Sequence, residues 1–248
     1  MYIELFFFTL GLIIGSFLNV CIYRLPQNQS ILTPSSHCMT CNTHLKPWDL
    51  IPVLSYHLSR GRCRYCGVSF SSRYPIVEIL TAGLFVWCLY ILGISLELFK
   101  TLILTSFLLV ITFIDYDHQL ILDKVLLWLF GAGVVINLWT NSLDIWDMII
   151  ASFLGGGLLL FIAVISRGGM GGGDIKFAAA LGIWLGWQYL LLTLLLSFII
   201  GGVGGLLLLA FKLKNRKDFI PFGPFIALGA LISSLYGNEI ITWYLERL

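Results

Sequence analysis

Apolar runs separated by short polar stretches organise most of the chain: 2–22, 75–93, 97–115, 121–139, 145–166, 174–211 and 223–245. A helix needs roughly 20 apolar residues to cross the hydrocarbon core of a bilayer, and most of these runs are of that length. The run 174–211 is too long for a single crossing. Gly186-Trp187-Gln188 interrupts it with a polar, aromatic break, dividing it into about 174–186 and 188–211, the first short enough for a half-span. The pattern predicts an all-α polytopic membrane protein of about eight transmembrane helices. One long polar stretch divides it into a first helix (1–23), a loop (24–74) and a transmembrane core (75–248).

Composition agrees with this reading. Of 248 residues, 58% are hydrophobic and only 11% charged, against about 25% charged in soluble domains. A net charge of +2 gives no reason to expect a nucleic-acid partner. The N-terminal run resembles a secretory signal only in its apolarity. It has no basic segment before it, its first Arg is Arg24, and no small-residue cleavage site stands out. A retained first helix with its N-terminus outside is expected. Cytoplasmic loops of membrane proteins collect Lys and Arg. In that orientation the loops 24–74, 116–120, 167–173 and 212–222, with the adjoining helix ends, hold all 15 Lys and Arg except Lys100 and Arg247.

Loop 24–74 carries two C-x-x-C pairs, Cys38/Cys41 and Cys63/Cys66, with 21 residues between them. Paired hairpins of this kind make tetrahedral zinc sites, usually with a spacer of about 15–20 residues. Asn42 and Gly67 follow each pair and tolerate the left-handed backbone that turns both thiolates toward one ion. Lasting disulfides are rare in a reducing compartment, so a small cytoplasmic zinc-ribbon-like loop is expected. Four cysteines would fill the tetrahedron and make the zinc structural. His37, His44 and His57 read as ordinary loop residues, Cys21 and Cys88 as helix packing.

Acids at a membrane edge are costly and are functional candidates. Asp115 directly follows the apolar "LLVITFI", and Asp174 opens the sixth span after "GGMGGG". Both lie at the cytoplasmic level of the predicted topology, although their lateral separation is not written in the sequence. Two aspartates sharing a proton activate water, one as base and one as acid. Gly171 and Gly173 lack side chains beside Asp174, so an extended peptide backbone has room to approach. A phosphate-binding loop is disfavoured, since no G-K-[ST] follows. Gly155-Gly156-Gly157 and the pair Gly201/Gly205 read as close helix packing.

"GGMGGGDIK", "FIDYDHQLILD", the paired cysteines, "GSFLNVCIYRLP" and "SSRYPIVEIL" together resemble the type IV prepilin peptidases over nearly the whole chain. The resemblance implies a G-x-G-D aspartyl membrane protease with Asp115 and Asp174 as its catalytic acids. It implies Cys38, Cys41, Cys63 and Cys66 as the zinc ligands. The substrates implied are type IV prepilins or pseudopilins, cut after a glycine on the cytoplasmic side of the cell membrane. Many members then methylate the new N-terminus with S-adenosylmethionine. Competence pilins and secretion pseudopilins fit equally. Asn19, Arg24 and Glu78 match motif positions, and Glu78 equally suits a buried acid paired with Arg73. Where the family usually reads I-P-D or L-P-D, this chain has Ile121-Leu122-Asp123, which leaves the start of the fourth helix less sharply fixed.

Two other functional classes are consistent with a polytopic chain of this kind. A transporter with proton-relaying acids predicts mid-span acids and internal repeats, and the sequence has neither. A non-catalytic zinc-loop scaffold of a secretion machine would tolerate loss of both aspartates. No H-E-x-x-H or G-x-S-x-G motif supports metallo- or serine-protease chemistry.

Overall fold

A computed structural model describes residues 2–212 and 220–247. The basic segment 213–219, most of the last expected cytoplasmic loop, lies outside the described residues. Among the described residues, seven helices are long and apolar enough to cross a membrane: α1 (Tyr2–Arg24), α3 (Arg73–Leu92), α4 (Leu96–His118), α5 (Asp123–Thr140), α6 (Ile145–Ile165), α7 (Gly172–Ala210) and α8 (Gly223–Leu245). The five-residue α2 (Leu54–Leu58) belongs to the first loop. The protein is an integral membrane protein with no β-strand among the described residues. The chain forms two compact units, Met1–Leu98 and Phe99–Leu248.

At 39 residues α7 would be about 58 Å long if straight. It is broken at Gly186, whose φ of 72° and ψ of 173° only glycine adopts without strain. The break falls inside the expected Gly186-Trp187-Gln188 interruption and restores the count of about eight. The freed Trp187 N–H donates to Asp147 Oδ1 at 3.2 Å, supplying the partner that a broken helix needs in lipid. α5 begins at Asp123 directly after extended Leu122, so the helix starts sharply without a proline.

Small residues set the helix contacts. In the first unit Gly11 and Gly15 of α1 lie against α3. An ideal Cβ at Gly11 would stand 2.5 Å from Ala82 Cα, and one at Gly15 would stand 2.7 Å from Glu78 Cα. Asn19 Nδ2 donates to the Tyr74 carbonyl at 3.0 Å, tying α1 to the first turn of α3. In the second unit Ala151 and Gly155 of α6 face Gly182 and Ala178 of α7. A Cβ at Gly182 would meet Ala151 C at 2.5 Å, and one at Gly155 would meet the Ala178 carbonyl oxygen at 2.8 Å. Such small-x-x-x-small pairs let membrane helices approach backbone to backbone. α5 holds α7 through polar contacts: Trp184 Nε1 donates to the Leu129 carbonyl at 2.7 Å and Asn137 Nδ2 to that of Ile183 at 2.6 Å. Gly133 makes room for the Trp184 indole.

Candidate active site and metal centre

Asp115 projects from the last turns of α4 and is buried, with 4% of its surface exposed. Its Oδ2 accepts the Gly223 N–H at 3.0 Å. Gly223 is the first residue of α8, followed by Pro224, so this carboxylate caps a helix whose first N–H groups have no partner of their own. Asp174 is the third residue of α7, equally buried at 7%. It therefore lies at a helix N-terminus too, and the backbone of Gly171 hydrogen-bonds it. Partial positive charge at both helix ends favours anions there. The charge of Asp115 acts on Asp174, so the tertiary fold brings into electrostatic contact two acids that lie 59 positions apart in sequence.

The glycines before Asp174 have separate surroundings. A Cβ at Gly171 would stand 2.9 Å from Asp174 Oδ2, and one at Gly173 would stand 2.9 Å from Ile121 Cβ. Gly172, between them, faces open space. Asp117 and Asp123 are exposed. Asp123 pairs with Lys176, whose Nζ lies 2.7 and 2.9 Å from its two oxygens. That bridge joins the start of α5 to the first turn of α7. Gly223 was missed in the sequence as a contributor to the site. The signal available was its Gly-Pro at a helix start.

The four loop cysteines converge in the first unit, their Sγ atoms all within 4.8 Å of one another. Cys38 and Cys66 Sγ lie 3.7 Å apart, and two ligands 2.3 Å from a tetrahedral zinc are about 3.8 Å apart. The two hairpins repeat one geometry. Cys38 N donates to Thr43 O and Asn42 N to Cys38 O; likewise Cys63 N donates to Val68 O and Gly67 N to Cys63 O. Asn42 and Gly67 hold the left-handed positions at φ 54° and 75°. Hydrogen bonding with the Thr43 hydroxyl and backbone draws the Cys41 thiol down to about 6, toward the thiolate form that binds metal. The residues fit zinc. His37 and His44 stand across one hairpin, hydrogen-bonded to Ser35.

Residues 9–92 match the model of the bacterial peptidase A24 N-terminal domain, and residues 102–206 that of the type IV leader peptidase family. The chain is 35% identical over 271 residues to a prepilin leader peptidase/N-methyltransferase of Aeromonas salmonicida, covering 97% of this chain and 93% of that one. Its identity is 36% to the protein of that name from Legionella pneumophila (99% and 94% covered) and 37% to that from Bacillus subtilis (96% of each). No solved structure gives a significant match. With both halves and nearly its full length accounted for, the chain belongs to the type IV leader peptidase family.

Proposed function

We propose that the chain is a membrane aspartyl endopeptidase that removes the leaders of type IV prepilins or pseudopilins through Asp115 and Asp174. The observation that carries this reading is the electrostatic contact of two buried carboxylates, each at a helix N-terminus. Such a pair holds one proton between its members. The ionised aspartate takes a proton from water as the water attacks the scissile carbonyl, and the protonated one donates to the departing amine. The Gly223 N–H fixes one oxygen of Asp115 and leaves the other for the reaction. A substrate backbone approaches over the Gly171–Gly173 segment, where the open face of Gly172 gives the closest access. The cut follows a glycine on the cytoplasmic side, with the N-terminus of the enzyme outside and loop 24–74 inside.

The cysteine centre holds a structural zinc, since four thiolates leave it no open position. The second reaction methylates the new N-terminus, in keeping with the N-methyltransferase named in the relatives. S-Adenosylmethionine supplies the methyl group for it.

The test is cleavage of a co-reconstituted prepilin by wild type, Asp115→Asn and Asp174→Asn, each checked for insertion and folding. Accumulation of uncut precursor with both variants is expected. Normal cutting by either one removes that acid from the mechanism, and failure of wild type on every prepilin offered returns the scaffold and transporter readings.

A further inference from the structure

One hydrogen bond of α7 is broken, and two side chains from other helices stand in for it. In a continuous helix the Trp187 N–H donates to the Ile183 carbonyl, four residues back. Gly186, with ψ of 173° in place of about −42°, turns the Trp187 peptide plane away and parts the two groups. Asp147 of α6 takes the donor, its Oδ1 lying 3.2 Å from Trp187 N. Asn137 of α5 takes the acceptor, donating from Nδ2 to the Ile183 carbonyl at 2.6 Å. Both halves of a single backbone bond thus have their own side-chain partner.

Asn137 is fully buried, and its amide is oriented from behind. Lys100 Nζ, which can only donate, lies 3.2 Å from Ser142 Oγ. Ser142 accepts from it and gives its own proton to Asn137 Oδ1 at 2.7 Å, which turns Nδ2 toward Ile183. The break uncouples the segment 172–185 from the rest of α7, and that segment carries Asp174. Asp174 lies nine residues before Ile183, about 13.5 Å along the helix. At that lever arm a tilt of about 5° moves the acid by about 1 Å, and a misplacement of about 1 Å costs about 10²-fold in rate.

We propose that Asn137 and Asp147 are positioning residues for proteolysis: by keeping the two halves of one helical bond apart, they fix the axis of segment 172–185 and so the place of Asp174 beside Asp115. This rests on the aspartyl peptidase reading above. Without Asn137 the Ile183 carbonyl is buried and unpaired, which is costly in lipid. The Trp187 N–H is its helical partner, and regaining it requires Gly186 to return to helical angles, which glycine permits. α7 then straightens, and Asp174 swings away with the segment.

The experiment uses the full-length enzyme in proteoliposomes with a prepilin substrate. Asn137→Leu keeps the bulk of the side chain and removes its donor. Its kcat should fall by about 10²-fold, with KM little changed. Asp147→Leu should do the same, and Asp147→Asn, which keeps an acceptor for Trp187, should recover most of the loss. Trp187→Pro locks the break by other means. Proline has no N–H for Ile183, collides with the carbonyl four residues back in a continuous helix, and is tolerated at the first position after a break. Alone it should cut nearly as wild type does. Combined with Asn137→Leu it should restore cleavage to within about tenfold of wild type, while thermal unfolding stays as low as in Asn137→Leu, whose Ile183 carbonyl is still unpaired. A merely structural role would move activity and stability together. Spin labels at the exposed positions Lys176 and Leu195, attached by a chemistry that spares cysteines, report the break itself. A straight α7 sets these positions about 28 Å apart and a kinked one sets them closer. The distance should lengthen in Asn137→Leu and shorten again in the double variant. A folded Asn137→Leu enzyme that cuts at the wild-type rate, cleavage lost with the labelled distance unchanged, a folded but inactive Trp187→Pro enzyme, or a double variant as slow as Asn137→Leu would each overturn the assignment. Normal cutting by Asp174→Asn would count against the aspartyl reading instead, and a lengthened distance would still support Asn137 as the holder of the break.

Discussion

Gly223→Ala puts a methyl group where the structure leaves room only for the acid. An ideal Cβ at Gly223 would lie 2.6 Å from Asp115 Oδ2 and 3.2 Å from its Cγ. Ordinary carbon–oxygen contacts begin at about 3.3 Å, so the carboxylate must withdraw by about 0.7 Å. Alanine is a better helix former than glycine, and the atom that has to yield ends a short side chain free to rotate. The expected result is therefore a folded protein with a displaced acid. Displacement weakens a hydrogen bond to a charged acceptor, worth about 1.5–3 kcal/mol, and misplacing a reacting group by about 1 Å costs about 10²-fold in rate. Single-turnover cleavage of a prepilin in proteoliposomes should thus slow by about 10²-fold. Gly131→Ala is the control, since no heavy atom lies within 4 Å of the added methyl, and it should cut like wild type. A folded Gly223→Ala enzyme cutting within about threefold of wild type, far short of that estimate, would refute the claim that this amide positions Asp115.

Gly182→Ala should lower stability by about 1–3 kcal/mol, the usual cost of overpacking, despite the better helix propensity of alanine, because the new Cβ meets the backbone of α6 at 2.5 Å; unfolding in mixed micelles reads this, and a raised midpoint would contradict it. Purified wild type should carry one zinc per chain by elemental analysis, and Cys38→Ser should lose most of it; a mutant that keeps its zinc shows that the ion is held elsewhere. Lys176 and Asp123 are 59% and 71% exposed, so a double-mutant cycle on stability should give a coupling of only about 0.2–1 kcal/mol, whereas a coupling several times larger would mean the pair is shielded from water.

The helices were legible because each is an apolar run of membrane length, and the interruption of α7 because Gly186 and Gln188 break such a run. The cysteine hairpins were legible for a local reason: Asn42 and Gly67 follow their thiols and hold the backbone conformation that the turn requires. The neighbourhood of Asp115 was not. Its partner is an amide 108 positions away, and backbone N–H groups carry no residue signature. Which helices touch was hidden similarly, because Gly11, Gly15, Ala151 and Gly182 act by what they lack. The Glu78 partner was hidden for the same reason as that of Asp115: it is the Val53 N–H, which reaches it from the loop.

The packing of α6 on α7 also sets a depth. Gly155 stands opposite Ala178, Ala151 opposite Gly182, and Asp147 opposite Gly186, a steady antiparallel register. Continued by one turn, it brings Asp174 level with Leu159. α6 runs on for six more residues to Ile165, about 9 Å at 1.5 Å per residue. The acid is thus sunk below the lip of its neighbouring helix, and the loop 166–171 has to descend to reach it. On the proposed mechanism, a peptide bond cut there would have to be lowered into a well, with water following it down. Admission to that depth would then be a second filter on substrates, one that neither Asp115 nor Asp174 supplies.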